Sequence, residues 1–206
     1  MPPLPTAREG SGGTAPLRVA IFGGSFNPPH VGHVLAAAYL LSSCPVDALL
    51  VVPVFRHPFA KELAPYDARL TMAERAMGWL PGVTVSTIER EIGGESRTLF
   101  TVRALAERHP DWALRLVIGA DVLADLPNWH RFDEVAALAR PLVIGRAGVV
   151  HPDAPRAVLP AVSSTEVRSL IARGDWDGAA VVVPRAVLEY VRAVGLYGAA
   201  ADGGGG

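Results

Sequence analysis

Eleven consecutive residues, Gly23-Gly24-Ser25-Phe26-Asn27-Pro28-Pro29-His30-Val31-Gly32-His33, combine glycines, two prolines and two histidines three residues apart. The run before them, Leu17-Arg18-Val19-Ala20-Ile21-Phe22, is mostly apolar and β-branched, which suits a buried strand. Glycines behind such a strand permit a tight turn and a close approach of backbone to a ligand. Pro28 and Pro29 then fix φ where a helix can begin, which puts His30 and His33 in its first turn and on one face. Free backbone N–H groups and the positive end of the helix dipole converge there and attract an anion before any side chain acts. Two imidazoles beside a bound phosphate tend to stay protonated, and Gly32 keeps the space between them open. The segment reads as a nucleotide-phosphate site with Gly23, Gly24, Ser25, His30 and His33 as its candidates. It matches neither GxGxxG nor GxxxxGK[ST], and a strand followed by a Gly-rich turn is common by itself. An HxxH pair could form half a metal site, but no third ligand stands nearby at a suitable spacing, so no protein-borne metal is expected.

Two other segments could meet this one. Ser163-Ser164-Thr165-Glu166-Val167-Arg168 joins N-cap residues to an arginine one turn into a helix, offering hydroxyls, amides and a guanidinium to one oxyanion. An ordinary helix start with a solvated arginine would look the same. Gly119-Ala120-Asp121 follows an apolar run, where a carboxylate could accept from ribose hydroxyls or merely cap a helix.

The elements that must position these groups alternate. Beyond the first run, residues Ala48–Val54, Val83–Ile88, Leu114–Ile118 and Pro141–Ile144 read as strands. Helical patterns cover about Val31–Ser43, Tyr66–Trp79, Thr98–His109, Thr165–Arg173 and Pro184–Val194. The expected fold is α/β, a Rossmann-like open parallel sheet with helices on both faces and ligands at the carboxyl ends of its strands. At 206 residues, half of them hydrophobic, the chain can bury one core. One domain over 17–198 is expected, between Pro/Gly/Ala-rich tails at 1–16 and 199–206.

A net charge of -1 gives no general drive toward nucleic acid or anionic membrane, and no apolar run approaches a membrane span. The sole cysteine, Cys44, excludes an intrachain disulfide and fits a reducing, cytoplasmic setting. Oligomeric state is undetermined, and a homo-oligomer stays open.

GGSFNPPHVGH, the later GAD…LPNWHRF, and AVSSTEVRSLIARG followed by VPRAVLEYVRAVGLYG together resemble the bacterial nicotinate-nucleotide adenylyltransferases of the nucleotidyltransferase superfamily, over roughly residues 17–198. The resemblance implies a nucleotidyltransferase-type fold and adenylyl transfer from ATP to nicotinate mononucleotide, giving deamido-NAD and pyrophosphate in NAD biosynthesis. It implies Mg²⁺ arriving with ATP, held largely by phosphate and water because the chain shows no cluster of carboxylates. Such catalysis rests on alignment and charge neutralisation, with no covalent intermediate.

By the same resemblance His30, His33 and Arg168 are the cations around the phosphates, with Ser163, Ser164 and Thr165 beside them and Asp121 on the adenosine ribose. Gly24, Ser25 and Phe26 would line the mononucleotide side, and Trp129 would stack on the pyridine next to Thr98 and His130. Two positions depart from the pattern. His57-Pro58-Phe59-Ala60-Lys61 stands where relatives carry Pro-Pro-His-Lys, leaving Lys61 as the nearest equivalent. Arg97 replaces the aromatic residue before Thr98, and it could attract a ring carboxylate, stack on the ring or face solvent. An enzyme acting on nicotinamide mononucleotide or another phosphate monoester such as phosphopantetheine, or a nucleotide-sensing module without turnover, are the alternatives.

Overall fold

The computed structural model describes residues 15–56 and 62–199. Its strands are β1 (Leu17–Gly24), β2 (Ala48–Pro53), β3 (Val83–Val85), β4 (Trp112–Gly119), β5 (Arg140–Arg146) and β6 (Ala157–Leu159). The helices are α1 (Val31–Ser43), α2 (Tyr66–Met77), α3 (Ile88–Ile92), α4 (Thr98–Arg108), α5 (Phe132–Leu138), α6 (Ser164–Ala172), α7 (Trp176–Val182) and α8 (Arg185–Val194), with 3₁₀ segments over Ala120–Asn128 and Leu196–Gly198.

All six strands are parallel, in the order β3-β2-β1-β4-β5-β6. Alternating side chains serve opposite faces. Ala20, Leu49, Val51 and Val117 pack with residues of α1, α2, α6 and α8, among them Leu40, Met72, Ile171 and Val191. Val19, Ile21, Leu50 and Leu116 pack on the other face with Ile88, Leu99, Val102 and Val135. Burial on both faces explains why the strands are apolar runs, each large side chain contributing about 1.5–3 kcal/mol. The strand order reverses between β1 and β4. Chains leaving Gly24 and Gly119 therefore diverge to opposite faces and leave a crevice at the carboxyl edge, the usual ligand position of such sheets.

The third predicted strand is shorter than its apolar run suggests. Only Val83–Val85 pairs with β2, because the Ser86 hydroxyl accepts from the Ile88 N–H at 3.2 Å and turns the chain into α3. Helix α2 stops at Met77, with Gly78 as its cap, and Trp79 lies beyond it, 67 % exposed. Helices α3, α5 and α7, strand β6 and both 3₁₀ segments have no counterpart in the sequence reading; the helices and β6 span too few residues to show a period, and a 3₁₀ segment does not follow the 3.6-residue one.

Candidate active site

The site grows from the turn after β1. Phe26 sits at φ 46, an unusual conformation for a bulky residue, and its ring is buried edge-on to Phe22 and to His33, at centroid distances of 5.6 and 5.1 Å. A Cβ on Gly24 would lie 3.0 Å from that ring, so the glycine answers to close packing. Phe26 can therefore line the mononucleotide side only through its backbone. Its ring belongs to the core, and the backbone is what the turn offers. The N–H groups of Ser25, Phe26 and Asn27 have no protein acceptor among the described residues, so the turn presents consecutive unused donors, a favourable setting for an anion.

Asn27 ties the turn down. Its buried Oδ1 accepts from the Ala64 N–H at 3.0 Å and the Tyr197 hydroxyl at 2.8 Å. Its carbonyl accepts from Arg168 Nη1 at 2.8 Å. The Ser164 hydroxyl donates to the Pro28 carbonyl at 2.8 Å, and Arg168 Nη2 donates to Thr165 Oγ1 at 3.2 Å. Ser163 caps α6, its Oγ accepting from the Glu166 N–H. The predicted SSTEVR segment thus lies against the predicted turn, and Arg168 retains further guanidinium donors.

His30 is the N-cap of α1 and His33 stands one turn in, with ring centroids 3.9 Å apart. A Cβ on Gly32 would come within 3.0 Å of His30 Nδ1 and 3.1 Å of Val162, so this glycine does keep the histidines clear. Burial and the nearby Arg146 charge push the His30 pKa down to about 4. His33 keeps some surface exposure, yet desolvation, then His30 and Arg146, hold it well below the ordinary imidazole value. Both rings are thus neutral in the free protein, and the protonation expected of them belongs to the phosphate-bound state.

Asp121 lies in the first turn of the 3₁₀ segment after β4, where a Cβ on Gly119 would collide with its Oδ1. Its carboxylate already pairs with Arg146 at 2.8 Å, and Arg146 also donates to the Val162 carbonyl. Sequence reasoning missed Arg146, although a cation ending a parallel strand was a usable signal.

A cavity of about 510 Å³ opens on the other side of the turn. Gly23, Gly24, Ser25, Arg97, Thr98, Trp129 and His130 line it, so seven of the predicted residues meet in one space. Arg97 precedes α4 as its N-cap without a capping side-chain bond, and its guanidinium pairs with Glu95 at 3.0 Å. Glu89 also lines the cavity and was not anticipated; it is buried, with Oε2 accepting from the Phe55 N–H at 2.9 Å and Oε1 from the Thr101 hydroxyl at 3.2 Å. Burial raises its pKa, opposed by those bonds and by Ser96. Lys61 lies outside the described residues.

A family model described as cytidylyltransferase-like matches residues 21–170. A probable nicotinate-nucleotide adenylyltransferase of Anaeromyxobacter sp. (strain K) is 47% identical over 184 residues, covering 87% of this chain and 96% of that protein. One from Myxococcus xanthus (strain DK1622) is 41% identical over 186 residues, covering 88% and 95%. Among solved structures, the Plasmodium falciparum nicotinic acid mononucleotide adenylyltransferase complexed with NaAD superposes with a TM-score of 0.78 at 16% identity, covering 89% of this chain and 98% of that one. At that identity the likeness concerns the fold.

Proposed function

This chain belongs to the cytidylyltransferase-like family, on its nicotinate-nucleotide adenylyltransferase branch, and from that premise we propose that it transfers the adenylyl group of ATP to nicotinate mononucleotide, releasing pyrophosphate. The observation that carries the proposal is the junction at residues 23–30. One turn has the cavity of about 510 Å³ on one side and two histidines with Arg168 on the other.

The acceptor occupies the cavity, with its ring against Trp129 and its 5′-phosphate on the unused N–H groups of the turn. ATP lies over His30, His33 and α6, so that an acceptor phosphate oxygen attacks the α-phosphorus in line with the departing pyrophosphate. Phosphate charge raises the imidazole pKa values, and the rings gain protons as ATP binds. Arg168 neutralises the leaving group, Ser163, Ser164 and Thr165 flank the triphosphate, and Asp121 accepts from the adenosine ribose. Additional neutralisation of the triphosphate is what Mg²⁺ supplies when bound. Among the described residues no three His, Cys, Asp or Glu side chains converge on a cation site, and in this reading Mg²⁺ would be held largely by phosphate oxygens and water. No helix among the described residues is long and apolar enough to cross a membrane, and a cytoplasmic enzyme is the reading we adopt.

The test is pyrophosphate release from ATP with nicotinate mononucleotide, nicotinamide mononucleotide and phosphopantetheine offered separately. Release with nicotinate mononucleotide well above the others supports the proposal, and ATP binding without release from any acceptor returns the chain to a sensing role.

A further inference from the structure

The side chain of Arg69, in α2, is 2 % exposed, which is rare for a charged group that lacks a counter-ion. Among the described residues no carboxylate pairs with it. Its Nε donates to the Ala64 carbonyl at 2.9 Å and its Nη1 to the Ser25 carbonyl at 3.0 Å, with the guanidinium carbon 5.6 Å from the Tyr66 ring centroid. Among the described residues Glu89 is the carboxylate that bears on it electrostatically, from beyond ion-pair distance and with its oxygens accepting from Phe55 and Thr101. Two carbonyls satisfy donors, but with no carboxylate in direct contact the charge is only partly balanced, and a buried charge without an ion-pair partner is costly.

The Ser25–Phe26 peptide supplies a reason for keeping it. The bond is trans, so its C=O and N–H point in opposite directions. With the carbonyl drawn inward to Arg69, the Phe26 N–H is aimed away from the guanidinium, and no protein group takes it. Polarisation of the peptide by a cation on its oxygen makes that N–H a stronger donor. A counter-charge on the far side of the turn would complete the arrangement.

We propose that Arg69 is a positioning residue for the acceptor's 5′-phosphate, holding the Ser25–Phe26 peptide so that its N–H meets the phosphate and supplying the buried positive charge that the phosphate balances. This rests on the acceptor reading given above. Arg69 touches no substrate and acts through the backbone of the turn.

The test compares nicotinate mononucleotide with its riboside, which lacks the phosphate, as ligands of the wild type, Arg69→Met and Arg69→Lys. Binding of both is measured by calorimetry, with KM for ATP and thermal unfolding recorded alongside. Arg69→Met should weaken the mononucleotide at least about tenfold, leave the riboside within about twofold, and leave KM for ATP nearly unchanged. Should Arg69→Met fail to fold, Arg69→Lys carries the test. Its ammonium cannot hold both carbonyls, so the mononucleotide-to-riboside affinity ratio should still fall several-fold. Equal weakening of both ligands would mean a structural role alone, and an unchanged ratio in a folded variant overturns the proposal. Failure of the acceptor reading looks different: the wild type itself would then not prefer the mononucleotide.

Discussion

The backbone N–H of His30 donates to Nδ1 of His33 at 3.1 Å. A nitrogen that accepts this bond carries no proton, so the His33 ring is neutral with its hydrogen on Nε2, where it serves as a donor. The same bond occupies an N–H at the start of α1 and fixes the ring's direction. On the proposed reaction, His33 therefore begins as an aimed dipole; when phosphate raises its pKa the proton goes to Nδ1, and the ring gives up the His30 N–H as it becomes a cation.

Proton uptake on ATP binding follows. Calorimetric titration in buffers of different ionisation enthalpy at pH 7 should give net uptake, and ATP affinity should rise as the pH falls toward 5.5. Enthalpies that do not vary with buffer would count against protonation of the imidazoles.

The depressed His30 pKa also sets a sign for stability. Its ordinary value is 6.5 and its folded value about 4, so between these pH values the unfolded chain binds the proton that the folded chain refuses. Stability from this group is complete above the ordinary value and is lost as the pH falls through the folded one, by about 3 kcal/mol in total. Thermal unfolding between pH 7.5 and 4.5 should show a steeper decline for the wild type than for His30→Gln, whose side chain does not titrate.

His33→Ala should keep its fold and much of its ATP affinity while kcat falls on the order of 10²-fold or more, since a donor aimed at developing charge is lost. Turnover near the wild-type rate in a folded variant would falsify the role given to His33.

Arg168 uses Nη1 on the Asn27 carbonyl and Nη2 on Thr165. Arg168→Lys should impair kcat/KM by about tenfold or more at saturating Mg²⁺, because a point charge cannot hold the carbonyl and the leaving pyrophosphate together. Equal kcat/KM for the lysine variant would assign Arg168 to tethering α6.

Acceptor choice turns on Trp129 and Arg97. The indole offers a face to the pyridine without distinguishing acid from amide, so discrimination falls to donors near the ring substituent. Kcat/KM should be higher for nicotinate than for nicotinamide mononucleotide. Trp129→Ala should raise KM for both, and Arg97→Ala should narrow the gap between them. Because Glu95 pairs with Arg97, Glu95→Gln should also alter the ratio. An unchanged ratio in Arg97→Ala removes that residue from the discrimination.

Much of this protein is local in origin and was therefore legible in one dimension. An apolar strand, a Gly-rich turn and an HxxH helix start depend on neighbours a few residues apart, as do the strand and helix alternation and the SSTEVR cap. What tertiary structure decided depends on distance in space. Phe26 reads as a turn aromatic, yet the close approach to Gly24 sends its ring into the core. Two histidines near a phosphate read as cations, but whether they are charged depends on burial and on Arg146, more than a hundred positions away in the chain. Asp121 was visible as a carboxylate, while its pairing with Arg146 exists only because β4 and β5 are adjacent. Arg69 and Glu89 carried no local signal, because a buried charge is recognised by what encloses it, and the sequence does not record enclosure.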